Sequence, residues 1–315
     1  AHYALNLELF LENAHHSFME VNPVLIKEYK KSTTLRRTKT DSVDCESIAR
    51  WLITVEYKPH SKGFYHAYSL KSLTRLRDRL IRQRSFYLVK ITNVLDHTFP
   101  EFKPFFNERL SKTALYLLEN YGSAEKMARM NSASYDKLRC ISRGKFSIQQ
   151  FLRLKELAAN TVGVNNSIFD LELNTLLTLY KSLSDEINTL ETEIIKLIEE
   201  VHPHYMSIPG IGPISSAVIY AEYGDISNFS NPGQMLAFAG IEPGINDSGT
   251  ESHGGRMVKH GSSQLRYVLL NACLPLIRFD LTFATYYEKK RAEGKKHRVA
   301  ITHVAKKLIR VIYAL

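Results

Sequence analysis

Cysteine is scarce. There are three in 315 residues, Cys45, Cys140 and Cys273, odd in number and far apart. That pattern argues against a disulfide scaffold and a structural zinc site, and it fits a reducing, cytoplasmic-type compartment. No run of 18 apolar residues exists to span a membrane. The first residues lack the short basic region and apolar stretch of a signal peptide. The 12 histidines form no H-E-x-x-H pattern, and no G-x-S-x-G spacing supports a hydrolase elbow. Internal repeats and low-complexity tracts are absent. So is an initiating Met: the chain opens inside a predicted helix, Ala1 to Asn13, and is expected to begin partway into a longer protein.

What is present is a large apolar content and an excess of positive charge. Hydrophobic residues make up 44% of the chain and aromatics 10%, enough for a sizeable core, which excludes global disorder. Basic residues number 42 against 32 acidic, for a net charge of +10. Such a balance points to a polyanionic partner, nucleic acid before an acidic membrane surface. The excess concentrates near the C-terminus, where Glu251 to Arg310 holds 13 Lys/Arg against 4 Asp/Glu.

The first 60 or so residues read as α/β. Tyr3 to Leu11 has an amphipathic helical pattern, Ser17 to Val21 is a short strand candidate stopped by Asn22-Pro23, and Val24 to Lys31 is a short basic helix. A further helix runs from Asp41 to Leu52, with Thr40 or Asp41 as its cap. Beyond the breaker segment Lys58–Gly63, two long helices are predicted, over 68–99 and 168–201. From Lys71 to Lys90 the first carries seven Lys or Arg and a single acid, Asp78. The second repeats Leu173, Leu176, Tyr180, Leu183, Ile187, Leu190, Ile194, Leu197 and Val201 at heptad spacing, with a mostly acidic polar face. Opposite charge favours pairing of these helices, within one chain or between chains. Several shorter helices fill 104–165, broken at Tyr121-Gly122 and Arg143-Gly144.

Four segments could carry chemistry. Ser207-Ile208-Pro209-Gly210-Ile211-Gly212-Pro213 is similar to a helix-hairpin-helix turn, in which Gly210 and Gly212 would let backbone approach a phosphate; an ordinary tight turn is the alternative. Asp41 and Asp44 lie three apart at a helix start, on one face, where their carboxylates can hold a hard cation such as magnesium; helix capping is the simpler explanation, since two carboxylates make only half a metal site. Ser248, beside Gly249 in a polar loop, is a candidate nucleophile for a phosphodiester, or simply a turn serine. Arg256, Lys259 and Arg266 lie in a basic run with glycines and hydroxyls that suits phosphate contacts, as do Arg36, Arg37 and Lys39 upstream; a solvated basic face is the alternative.

In their order these segments resemble the DEDD transposases of insertion-sequence family 110, the bridge-RNA-guided DNA recombinases. Asn22-Pro23 followed by Thr38-Lys39-Thr40-Asp41-Ser42-Val43-Asp44 is similar to the family's N-P…T-K-T-D-x-x-D-A block, with Cys45 where Ala is usual. Phe99-Pro100-Glu101-Phe102 resembles the end of its coiled-coil segment. Ile208-Pro209-Gly210-Ile211-Gly212, Phe238-Ala239-Gly240-Ile241-Glu242-Pro243, Asp247-Ser248-Gly249 and Lys259-His260-Gly261…Leu265-Arg266 resemble successive motifs of its transposase domain.

The resemblance implies a mixed, mainly α chain: the remainder of a RuvC/RNase-H-like α/β domain over 1–66, coiled-coil and linker helices over 67–204, and a helical transposase domain over 205–315. It implies Mg²⁺ held by Asp41 and Asp44 as the last two of four acidic residues, with Ser248 as nucleophile. A structured guide RNA, target and donor DNA, and a dimer or tetramer are the implied partners, in a prokaryotic, nucleoid-associated setting with no membrane. The family's first Asp and its Glu would fall before Ala1, so a protein beginning there is expected to cut DNA poorly. Two rival functions remain at this stage: a RuvC-like junction or structure-specific nuclease that uses water, and a non-enzymatic basic coiled-coil protein that holds nucleic acid.

Overall fold

The computed structural model describes residues 4–19, 21, 23–33, 40–57, 64–107, 110–248 and 251–315, with the backbone alone described at 4, 64–66, 243–248 and 251–256. The chain divides into two compact units, Ala1–Phe64 and Tyr65–Leu315.

The described part of the first unit is three helices, α1 (Ala4–Asn13), α2 (Pro23–Thr33) and α3 (Asp41–Thr54). Pro23 opens α2, where its missing N–H costs nothing. Thr40 caps α3 by accepting a hydrogen bond from the Val43 amide. These helices overturn the expected remainder of a RuvC/RNase-H-like α/β domain over 1–66: no strand exists among the unit's described residues. Ser17, Phe18, Met19 and Val21 are described and form no strand. A strand needs a second strand beside it, and the described residues of this unit contain none.

The second unit is built on two 35-residue helices, α4 (Phe64–Thr98) and, further along the chain, α10 (Ser167–Val201). Neither contains Gly or Pro. Between them lie α5 (Phe102–Phe105), α6 (Lys112–Tyr121), α7 (Ala124–Ala128), α8 (Ser132–Ile141) and α9 (Ile148–Ala159). Gly122 ends α6 at φ +67°, and Ser or Asn side chains cap α6 to α10 at their N-termini. The two long helices pair antiparallel within the chain. Leu70 near the start of α4 shares a cluster with Ile194 and Ile198, Arg77 bonds Glu191, and Ile91 and Leu95 share a second cluster with Leu173 and Leu177. Opposite charges of the two helices thus meet within one chain at Arg77 and Glu191. The second cluster also takes in Leu117, Leu118 and Leu154, so the short helices pack on one end of this pair.

At the other end, Ala217 and Ala221 join Leu70, Ile194 and Ile198. They belong to α11 (Pro213–Tyr223), followed by α12 (Pro232–Ala239), strands β1 (Pro243–Ser248) and β2 (Glu251–Met257), and α13 (Ser263–Phe279), α14 (Leu281–Ala292) and α15 (His297–Ala314). Their core gathers Ile219, Met235, Leu265, Leu269, Leu276, Val304 and Leu308. β1 and β2 form a two-stranded antiparallel ribbon, the only sheet among the described residues. Strand structure thus stands in the segment read as a helical domain, and Ser248 lies in a strand rather than a loop. No single helix among the described residues is long and apolar enough to cross a membrane.

Candidate nucleic-acid interface

In the ribbon, Ser248 pairs with Glu251, Asp247 with Ser252, Asn246 with His253 and Ile245 with Gly254. Ser248 is the last residue of β1, so the candidate nucleophile stands at the end of the ribbon away from its base. The register shifts between Pro243 and Ile245, an irregularity that re-aims the strand near its base.

The base is held by the two motifs on either side. The Val258 amide donates to the Glu242 carbonyl at 2.8 Å and the Ser262 amide to the Phe238 carbonyl at 2.9 Å. Gly240 ends α12 in the left-handed region, at φ +64°. Arg266 donates from Nη1 to the Ala239 carbonyl at 3.3 Å. Gly261 lies so close that a Cβ there would stand 2.1 Å from the Phe238 carbonyl oxygen. The Phe238–Pro243 and Lys259–Arg266 segments are therefore two halves of one clamp. Gly261→Ala is expected to force the halves apart and destabilise the chain by about 3 kcal/mol, read as a lower midpoint in urea unfolding.

Of the other predicted contacts, Lys259 is exposed beside the ribbon. Arg266 is half-buried, with part of its guanidinium spent on the clamp. Arg256 lies in β2, where the backbone alone is described, and Arg36, Arg37 and Lys39 lie outside the described residues. Gly210 adopts φ +93° against α13, where a Cβ would meet the Ala272 carbonyl oxygen and Pro275 Cγ at 2.6 Å. Packing accounts for that glycine. Gly212 has open space around it and opens α11 without a side-chain cap.

Asp41 and Asp44 share the first turn of α3. Asp41 is exposed, and Asp44 accepts a 2.5 Å hydrogen bond from Lys30 Nζ on α2. No group of three or more His, Cys, Asp or Glu side chains that could hold a metal exists among the described residues. The two carboxylates on one helical turn are hard oxygen donors, the ligand type magnesium takes, and would supply two of its six positions. Lys30 is then the cation that balances Asp44 without metal.

Sequence reasoning did not single out Glu222. Its side chain is 2% exposed on the otherwise apolar α11. Arg75 of α4 grips it with two hydrogen bonds, Nε to Oε1 at 2.9 Å and Nη2 to Oε2 at 3.1 Å, and Lys71 Nζ stands 3.7 Å away. Burial alone would raise this carboxyl. The Arg75 hydrogen bonds, the Lys71 and Arg75 charges and a hydrogen bond from Ser262 outweigh it and hold the group below the usual carboxylate range. Ser262 also caps α13. One buried carboxylate thus ties the long helix α4 to the clamp under the ribbon. The available signal was a lone acid in an apolar helix, which in a folded chain requires a partner.

Comparison with known proteins follows the same two segments. The family model described as "Transposase IS116/IS110/IS902 family" matches residues 203–288, and a second transposase model matches residues 1–100. A 43.6 kDa protein of insertion element IS110 from Streptomyces coelicolor is 28% identical over 72% of this chain and 57% of its own length. A 42 kDa protein of insertion element IS900 from Mycobacterium paratuberculosis is 27% identical over 88% of this chain and 71% of its own. The transposase for insertion sequence element IS1111A from Coxiella burnetii is 25% identical over 82% of this chain and 59% of its own. The chain therefore spans little more than half the length of the first of these relatives.

Proposed function

We propose that this chain, a homologue of the IS116/IS110/IS902 transposases, cuts and rejoins DNA through a covalent bond to Ser248. The observation that carries the reading is the position of Ser248, at the end of a ribbon whose base is clamped by the two flanking motifs. The Ser248 Oγ bonds to phosphorus while the bond from phosphorus to one deoxyribose oxygen breaks. The serine proton ends on the released hydroxyl. The phosphoserine bond conserves the phosphodiester, so a hydroxyl of a second strand can attack it, rejoin the backbone and restore the serine.

Asp41 and Asp44 would hold magnesium, which would polarise a DNA phosphate and stabilise charge on its oxygens. Lys30 keeps Asp44 balanced when no metal is bound. What supports a guide RNA is the family resemblance together with the net charge of +10. Base pairing would then choose the DNA, and the protein would hold backbones.

A labelled DNA substrate, denatured after incubation with the chain, is expected to yield a protein–DNA adduct whose peptide map places the nucleotide on Ser248. Cut DNA with no adduct would establish attack by water and overturn the reading. RNA that co-purifies with the chain is expected to be one discrete structured species with loops complementary to two DNA sites. Random cellular fragments would remove the guide RNA from the proposal.

A further inference from the structure

The ribbon is not the only feature suited to a polyanion. His303, Lys306 and Arg310 follow one another at spacings of three and four along one face of α15. Lys290, at the end of α14, and Lys295, in the turn before α15, extend the stripe, since both act electrostatically on His303. At its other end Lys306 interacts with Glu242, the residue just before β1. The stripe therefore leads to the base of the ribbon that carries Ser248. Lys290 is balanced by Glu293 at 2.8 Å. No ion pair among the described residues holds Lys295, Lys306 or Arg310.

Two aromatic rings beside the stripe, Phe283 and Tyr286, hold lysine ammonium groups. Lys307 Nζ sits 5.0 Å from the Phe283 ring centre and 5.1 Å from that of Tyr286, and Lys290 Nζ sits 5.5 Å from Tyr286. Single-stranded nucleic acid is usually held by bases stacked on open aromatic faces. These faces carry ammonium groups instead. A straight helical row of cations without a stacking platform suits the regular phosphate backbone of a duplex.

We infer that the α14–α15 face, through Lys295, His303, Lys306 and Arg310, is a track for the phosphate backbone of a double-stranded nucleic acid that approaches the ribbon. This goes beyond the Ser248 chemistry in purpose and rests on it only for what the duplex is for. Binding along the track is independent of base sequence.

The state of His303 fits the geometry. Burial is the largest cause that holds its imidazole below the usual range, and the charges of Lys306, Lys290 and Lys295 add to it against Glu293. A phosphate row laid over these cations offsets their field, so the imidazole regains a proton on binding. Affinity then rises as pH falls through the histidine range.

The test is fluorescence anisotropy of the full chain with a labelled 30-base-pair DNA duplex and no cleavage readout, so a failed Ser248 adduct would leave its result intact. Between 50 and 200 mM salt, the double substitution Lys306→Ala with Arg310→Ala is expected to reduce the slope of log affinity against log salt by about 2 and to weaken binding roughly 10- to 60-fold, equally on unrelated sequences. Circular dichroism and the melting temperature check that the variant folds. His303→Gln, which leaves every lysine in place, is expected to remove the pH dependence of binding. A duplex RNA of the same sequence, bound in parallel, tells whether B-form or A-form geometry is preferred. An unchanged salt slope, a loss confined to one base sequence, or pH dependence intact in His303→Gln would overturn the track.

Discussion

Replacing Ser248 with alanine is expected to lower DNA strand transfer by roughly 10⁴-fold or more, the scale seen when a covalent nucleophile is lost, while duplex affinity stays within about twofold. The two readouts separate because they rest on different parts of the second unit. Affinity comes from many dispersed phosphate contacts, and a hydroxyl at one ribbon end supplies little of it. Transfer needs the Oγ–phosphorus bond itself, since only a covalent intermediate stores the phosphodiester for rejoining. Ser248→Cys keeps a nucleophile of similar size and is expected to retain a trace of cutting with a different pH dependence, because a thiol ionises at lower pH than a hydroxyl. Strand transfer that survives in Ser248→Ala would place the chemistry in water or in another side chain and would leave the ribbon a binding element only.

Several elements of this molecule are legible in the sequence for simple reasons. α4 and α10 announce themselves because neither contains Gly or Pro and both repeat apolar residues at helical spacing. The start of α3 is written in Thr40-Asp41, and the Thr40 hydroxyl does accept from the Val43 amide. The end of α6 follows from Tyr121-Gly122, since Gly122 adopts a positive φ. The ribbon is different. Pro-Gly-Ile-Asn-Asp-Ser reads as a turn, and it is a strand only because Glu251–Met257 lies beside it. Strand formation depends on a pairing strand more than on local preference, which is also why the pattern of Ser17–Val21 misled: the described residues of its unit contain no strand. The antiparallel alignment of α4 with α10 is likewise a long-range fact, fixed by pairs such as Arg77 with Glu191 that are 114 residues apart.

The candidate site shows the same division. Ser248 and the clamp motifs stand near one another in the chain, so their order could be read. Glu222 could not, because its importance comes from Arg75, which is 147 residues away. Asp41 and Asp44 could be read as a pair, but the Lys30 contact that engages Asp44 comes from a separate helix.

Glu222 supports the second large prediction, an ordered set of stability losses. Arg75→Met leaves a carboxylate that is 2% exposed with only Lys71, at 3.7 Å, and Ser262 to hold it. Removing one partner of a buried pair costs about 3–5 kcal/mol; because Arg75 is half-exposed and partly screened, the lower end, about 3 kcal/mol, is expected. Glu222→Gln is expected to cost less, about 1–2 kcal/mol. The amide keeps the volume and can still accept from Arg75, which regains water around its exposed half. Combining Arg75→Met with Glu222→Leu replaces the pair by apolar contacts and is expected to recover most of the loss, a non-additivity that a double-mutant cycle in urea reads directly. The pH dependence follows with its sign. The folded carboxyl lies below its unfolded value, so its contribution is complete above the unfolded pKa and is lost as pH falls through the folded one. In Arg75→Met the largest opposing cause is gone and burial lifts the group. The loss on acidification is then expected to shrink, and to reverse where burial lifts the group above its unfolded value, so Arg75→Met loses less stability than the parent chain as pH falls; Glu222→Gln is expected to flatten the dependence. Equal acid sensitivity in all three proteins would show that this carboxylate is not what ties α4 to the clamp.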